Sequence, residues 1–334
     1  MNSRISKVRL RSSAFIKLLL KVISRLSLLF IFECCERIID YPIRTDELNL
    51  VINGIINTDS SVIINLSKSI PVLDTNSAPY VGNAQVYLYE NSSLAGLMTY
   101  QGKGFYALNG KKPQKGLEYK VAARVPDGSE VSSSCIIPEP VAIITIDTIW
   151  KIQNNDMSYG TSSYECIITA DDPADVPNYY EIKLFHKSMY YNIDSVESTV
   201  SRSFFSDDPV FEFYRSGSGL YPLHLTLGSD MFNANSAFFS DDMIDGKRFT
   251  FRISLESWNN HGTYYFCLRS LTRDYYLYLR SLMQYNMAEG NYFSERVQIH
   301  TNIENGLGIL GGYSSYKDSI EINSRYQYYQ TILK

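Results

Sequence analysis

No stretch of this sequence is apolar for long enough to span a bilayer as a helix, which takes about 20 consecutive residues. The N-terminal run Leu26 to Phe32 is far shorter, so no permanent transmembrane helix is expected. Positive charge is not in excess either. With 31 Lys and Arg against 35 Asp and Glu, the net charge of -4 gives no broad phosphate-neutralising surface, and nucleic acid is not an expected partner. Histidine and cysteine are sparse, at 4 and 5 residues. His186, His224, His261 and His300 are scattered, with no H-E-x-x-H or C-x-x-C spacing to gather zinc, so neither metal nor cofactor is expected. No G-x-S-x-G elbow is present, and a Cys267 with a nearby His261 is too generic to make a nucleophile. The expectation is a protein that is not an enzyme.

Two further patterns look like chemistry. Gly306-Leu-Gly308-Ile-Leu-Gly311 is a literal G-x-G-x-x-G, but a dinucleotide site needs a helix after it and an acid on a second strand about 20 residues on. Here "GYSSYKDSIEI" follows, which reads as turn and strand, so the glycines are expected to serve tight turning or close backbone packing. Asp171-Asp172, Asp207-Asp208 and Asp241-Asp242 are paired acids, the last two inside a repeated "FFSDD" at Phe204 and Phe238. Neighbours on an extended chain point to opposite faces, and no D-x-D-x-D-G loop is present. Turn chemistry is therefore favoured over a weak calcium site.

The N-terminus carries Arg4, Lys7, Arg9, Arg11, Lys17, Lys21 and Arg25 before any acid, then a short apolar run ending at Cys34 and Cys35. This is the order of an export signal. Lys17, Lys21 and Arg25 recur at helical spacing, so a basic amphipathic helix or a transit peptide is the rival reading. A cysteine after such a run resembles the bacterial lipoprotein signal, in which the thiol is acylated and the body tethered by its acyl chains. Cys35 is the candidate lipidation site, although Glu33 departs from the small, uncharged residues usual there. With Cys34 and Cys35 in the leader, Cys135, Cys166 and Cys267 remain, an odd number that is no disulfide framework.

Residues 1–35 then read as signal peptide and 36–47 as a tether. The stretch 48–140 carries about seven short strands, beginning with two β-branched runs around Asn57-Thr58-Asp59, and is expected to form a small β-sandwich of Ig-like or transthyretin-like kind. Pro138-Glu139-Pro140 looks like a boundary. Beyond it, 141–334 reads as a β-rich second domain, with strands at Ser163 to Ala170, Tyr179 to Phe185, Leu223 to Leu227 and Arg248 to Leu255. One helix interrupts it near 272–289, with Thr272 as N-cap, Asp274 in the first turn and a stripe of Tyr276, Leu279, Met283 and Met287. The fold class is mostly β with one packed α-helix. The 27 tyrosines suit strand faces and seams, with an aromatic binding platform as the alternative use.

Several blocks carry a resemblance: "CERIIDYP", "LNLVINGIINTD", "NAQVYLYE", "FFSDDMIDGKRFTF", "RDYYLYLRSLMQYN" and above all "SERVQIHTNIENGLGILGGY", with Asn302, Asn305 and paired glycines. The chain resembles the Bacteroidota envelope lipoproteins classed as domain-of-unknown-function family 4249. That resemblance implies a lipoprotein of the cell outer membrane, held through a lipid anchor and often encoded beside a TonB-dependent outer-membrane transporter, its expected partner. It implies no catalytic residues. A structural or adhesion protein of the surface and an envelope glycan or peptide hydrolase built on the acidic pairs are the two other readings.

Overall fold

The computed structural model describes residues 48–71, 77–153, 161–188, 198–202, 204, 206, 208–211, 236–256, 262–288, 295 and 297–322, together with Lys21. The leader, Cys35 and the expected strand at Leu223 to Leu227 lie outside the described residues. The chain divides into a unit before Asp46 and a unit from Asp46 to Lys334, and all the described strands belong to the second.

The first strands are β1 (Leu50–Asn57) and β2 (Val62–Lys68), joined as a hairpin by the expected turn. Asn57 fastens that turn, its side-chain oxygen accepting from the N–H groups of Asp59 and Ser60. Then come β3 (Gln85–Glu90), β4 (Ser93–Leu97), β5 (Thr99–Gly102), β6 (Phe105–Leu108), β7 (Glu118–Arg124) and β8 (Glu130–Ile136). Past the prolines are β9 (Ile143–Gln153), β10 (Thr161–Asp171), β11 (Tyr179–Ser188), β12 (Ser198–Ser201), β13 (Ser236–Ser240), β14 (Arg248–Glu256) and β15 (Gly262–Leu271). Helix α1 (Arg273–Ala288) and β16 (Leu307–Ile322) complete the described body. The mostly β class with one packed helix is as expected.

Three sheets form. A nine-stranded sheet runs β12-β11-β15-β16-β1-β2-β6-β5, with β13 also on β11. Two smaller sheets, β4-β3-β7-β8 and β14-β10-β9, complete the set. Strand alternation then decides the layers, because residues two apart share a face. Ile52, Ile56, Ile64 and Leu66 of the long sheet meet Val86, Leu88, Val121 and Ala123 of the first small sheet in one core. Ile182, Leu184, Phe266 and Leu268 meet Cys166, Ile168, Phe251 and Ile253 of the second small sheet in another. Each such fully buried aliphatic or aromatic side chain contributes about 1.5–3 kcal/mol. Both small sheets thus cover the same face of the long one.

The long sheet is joined at β16. Its first half pairs in parallel with β1, from Val51↔Leu307 to Asn57↔Tyr313, and its second half pairs antiparallel with β15, from Leu271↔Tyr313 to Gly262↔Ile322. Strands from both sides of Pro140 therefore share one sheet. Where β16 has β1 on one edge only, Asn302 acts as the missing strand: its Nδ2 donates to the Leu310 carbonyl and its Oδ1 accepts from the Leu310 N–H, each at 2.9 Å. Asn305 takes the left-handed turn just before, with φ 58°.

The glycines of the G-x-G-x-x-G stretch do what close packing requires. A Cβ on Gly311 would lie 2.6 Å from that of Tyr275, and one on Gly312 would lie 2.5 Å from Ile137 Cδ1. Helix and small sheet thus approach β16 from opposite faces at adjacent residues. Thr272 sits directly before α1, as expected of an N-cap, but its hydroxyl accepts from the Gly312 N–H at 3.0 Å and its own N–H donates to the Gly312 carbonyl. The Thr272 carbonyl accepts the first helical bond, from the Tyr276 N–H at 3.0 Å, so Thr272 holds the N-cap position while its hydroxyl ties the helix to the strand. The helix is also buried around more of its girth than the expected stripe, since Tyr275, Tyr278 and Leu282 join Tyr276 and Leu279 in a third cluster against Ile309 and Tyr313.

Candidate functional site

The uncovered face of the long sheet carries α1 at one end and, beside it, a trough of about 940 Å³. That volume lies within the range of small-molecule sites, about 300–1,000 Å³. Eight strands of the long sheet supply its lining by the same alternation that fills the cores. Tyr265, Cys267 and Arg269 of β15 face the trough while Tyr264, Phe266 and Leu268 between them are buried in the second core. Phe185, Ile55, Ile63 and Phe105 add apolar wall, and Gln101, Ser61 and Thr199 add polar rim.

The floor holds a buried ion pair. Arg269 Nη1 donates to Glu181 Oε2 at 3.0 Å, with the Arg269 side chain 8% exposed and that of Glu181 1%. The guanidinium carbon lies 4.1 Å from the centre of the Tyr313 ring, a cation–π contact. Burial pushes the Glu181 carboxyl up, but the positive charges of Lys183 and Arg269 and hydrogen bonds from Ser236 and Arg269 outweigh it and hold the group below its ordinary value. Tyr313, by contrast, is pushed up to about 12 by burial, against the pull of Arg269. At the rim, Asp59 of the β1–β2 turn accepts from Ser315 Oγ at 2.9 Å and pairs with Lys317 at 3.2 Å, fixing the turn to β16.

The acidic pairs are placed elsewhere. Asp172 and Asp241 come together with Asp245, one carboxylate oxygen from each lying within 4.8 Å of the others, and this is where a hard cation could be held. Their oxygens already accept hydrogen bonds that lash turns together: Asp172 from the Tyr180 hydroxyl and from the Gly246 N–H at 2.9 Å, Asp241 from the Asn178 N–H at 2.6 Å. Burial, and the charge of Asp172, push the Asp241 carboxyl up. Asp171 forms an exposed two-point pair with Arg248 across β10 and β14, Asp208 accepts from the Val210 and Arg252 N–H groups, and Asp242 accepts from Ser240 Oγ. Asp207 lies outside the described residues. None of the described acids of these pairs lines the trough.

His186 is fully buried and stacks on Tyr264 at 4.3 Å, and His300 bonds Asp274 at 2.9 Å, so both serve as packing and fastening residues. His224 and His261 lie outside the described residues. Sequence reading missed the trough because its key residues, Glu181, Arg269 and Tyr313, come from three strands whose pairing it did not give, one of which, β15, was not anticipated. The signal that could have found them is the alternation in "GTYYFCLRSL", where Tyr, Cys and Arg occupy one face of an otherwise apolar strand.

Cys135, Cys166 and Cys267 are free, buried thiols. Burial pushes Cys135 and Cys166 up to about 12, and raises Cys267 despite the nearby charges of Arg269 and Lys317. Thiolate is the reactive form, so maleimide at neutral pH is expected to label these three at least about a hundredfold more slowly in the folded chain than in urea. Peptide mapping by mass spectrometry checks this; fast labelling of any of them in the folded chain contradicts the burial.

These features define the class: a multi-sheet β protein presenting a ligand-sized trough floored by a buried ion pair. The chain belongs to the family described as Domain of unknown function (DUF4249), whose model matches residues 36–319. No curated protein matches the sequence. Among solved structures the chain is similar to one described as "Crystal structure of Putative membrane anchored protein from Corynebacterium diphtheriae", at 13% identity and a TM-score of 0.21. The alignment covers 78% of this chain and 59% of that one, so this chain spans about three fifths of that protein's length. No helix of the described residues is long and apolar enough to cross a membrane.

Proposed function

We propose that the chain is a non-enzymatic binding or accessory protein of the cell envelope, anchored to the outer membrane through lipid on Cys35 and working with a TonB-dependent transporter. The observation that carries the binding reading is the trough, whose volume, apolar walls and buried Arg269–Glu181 floor suit a ligand taken from water. The described trough groups suit holding more than bond-breaking, because the Cys267 thiol is pushed up and the Glu181 carboxylate is engaged by Arg269. The basic leader and Cys35 support the anchor, and the family resemblance supports the transporter.

Purification of a tagged chain from membranes in mild detergent tests the partnership. A transporter barrel is expected to co-purify in comparable amount, and its absence would count against the accessory role. Metabolic labelling with a fatty-acid analogue is expected to mark the chain and to be abolished by Cys35→Ala.

A further inference from the structure

We propose that the trough takes an organic anion whose carboxylate docks on Arg269 and whose apolar body lies along Phe185, Tyr265 and Phe105, an assignment that rests on the binding reading above. Arg269 is more than nine-tenths buried and lines the trough. Its Nη1 is taken by Glu181 and its flat face by Tyr313. Its Nε, however, is buried and has no hydrogen-bond partner among the described residues. A buried N–H of a charged group normally finds an acceptor; this one has almost no accessible surface, so a ligand supplies the acceptor by drawing the Arg269 side chain toward the trough that the residue lines.

The geometry selects the acceptor. The edge of a guanidinium that carries Nε presents two N–H groups side by side, and a planar carboxylate matches that edge with two parallel bonds. The rest of the ligand meets mostly rings and aliphatic carbon, because Phe185 and Tyr265 stand on β11 and β15 and the wall continues through Ile55, Ile63 and Phe105 on β1, β2 and β6. A carboxylate on an apolar body fits this division. A free organic acid and the C-terminal end of an apolar peptide share that chemistry.

Titration calorimetry of the full-length chain with four small probes distinguishes the sources. They are 3-phenylpropanoate and its amide, and acetyl-leucyl-phenylalanine as free acid and as amide. At least one acid is expected to bind about tenfold or more tightly than its amide, the pair that does so identifying free acid or peptide end as the source. Arg269→Gln alone strands Glu181, so the neutral double variant Glu181→Gln/Arg269→Gln is used, and it is expected to bind acid and amide alike. Ile63→Glu, at a trough-lining side chain already half exposed, keeps the test open if the double variant does not fold, and is expected to weaken acid binding at least about tenfold.

Equal binding of acids and amides, no binding of either, or an acid preference that survives in a folded variant overturns the assignment. If a transporter co-purifies but no acid is preferred, the ligand class fails and the accessory role stands. Acid-selective binding without a transporter has the opposite meaning.

Discussion

Gly308→Val is expected to destabilise the folded body by about 4 kcal/mol, the sum of backbone strain and overpacking at one position. Gly308 has φ +104°, and a Cβ there would lie 2.0 Å from the Ile52 carbonyl oxygen, directly across the β1–β16 ladder. Main chain cannot move aside as a flexible side chain can. Because β16 alone joins the β1 half of the long sheet to the β15 half, damage at this point reaches both cores. Gly110→Ala is the control: its φ is +78° but nothing stands within 4 Å, so only the left-handed strain of about 1 kcal/mol is expected. Urea unfolding followed by tyrosine fluorescence measures both. Equal midpoints for the two variants would mean that β16 does not pack against β1 as described.

The second large effect is at the trough floor. Arg269→Met leaves Glu181 buried without the guanidinium that bonds it and is expected to destabilise the chain by about 3–5 kcal/mol, whereas replacing both partners, Glu181→Met/Arg269→Met, is expected to restore most of that loss. The pH dependence carries a sign that packing alone would not give. The folded Glu181 carboxyl titrates below its ordinary value of 4.5, so its stabilising contribution is fully present above that value and is lost as pH falls through the lowered one. In Arg269→Met the lowering pull of the guanidinium is gone while that of Lys183 stays, so the carboxyl is expected to rise relative to the parent chain. Acidification then protonates a stranded charge, and the stability gap to the parent chain is expected to narrow. A gap that is constant with pH would mean that Glu181 carries no buried charge.

Much of the architecture was legible because it is local. The β1–β2 hairpin follows from the β-branched runs around Asn57-Thr58-Asp59, the further short strands of 48–140 from their strand-like pattern, and α1 from its helical period with Asp274 in the first turn. Gly308 and Gly311 were legible as close-packing residues because the segment after them reads as turn and strand. Tertiary pairing was not legible. Nothing in "GLGILGGYSSYKDSIEI" states that its first half will lie beside residues 51–57 and its second beside 262–271, since hydrogen bonding between strands leaves no mark on either sequence.

The candidate site was illegible for the same reason. Glu181 and Arg269 are 88 positions apart and pair only because β11 and β15 are neighbours in register. Of the acidic pairs, conspicuous in sequence, Asp172, Asp208 and Asp241 accept backbone N–H groups at turns, while Asp171 pairs with Arg248 across two strands. The helix stripe was underestimated because Tyr275 and Tyr278 bury their rings on faces that a two-layer picture leaves to solvent. The helix forms a third layer on the same open face of the long sheet as the trough.

The central claim is that this open face holds a ligand. Native mass spectrometry of the full-length chain, isolated in mild detergent from the cells that make it, measures occupancy directly. The parent chain is expected to carry an added small-molecule mass that collisional activation releases, and Ile63→Glu, which puts a carboxylate into the trough wall, is expected to lose it while remaining folded. Identical ligand-free masses for both proteins, or the same added mass retained in both, would contradict the assignment of the trough as the binding site.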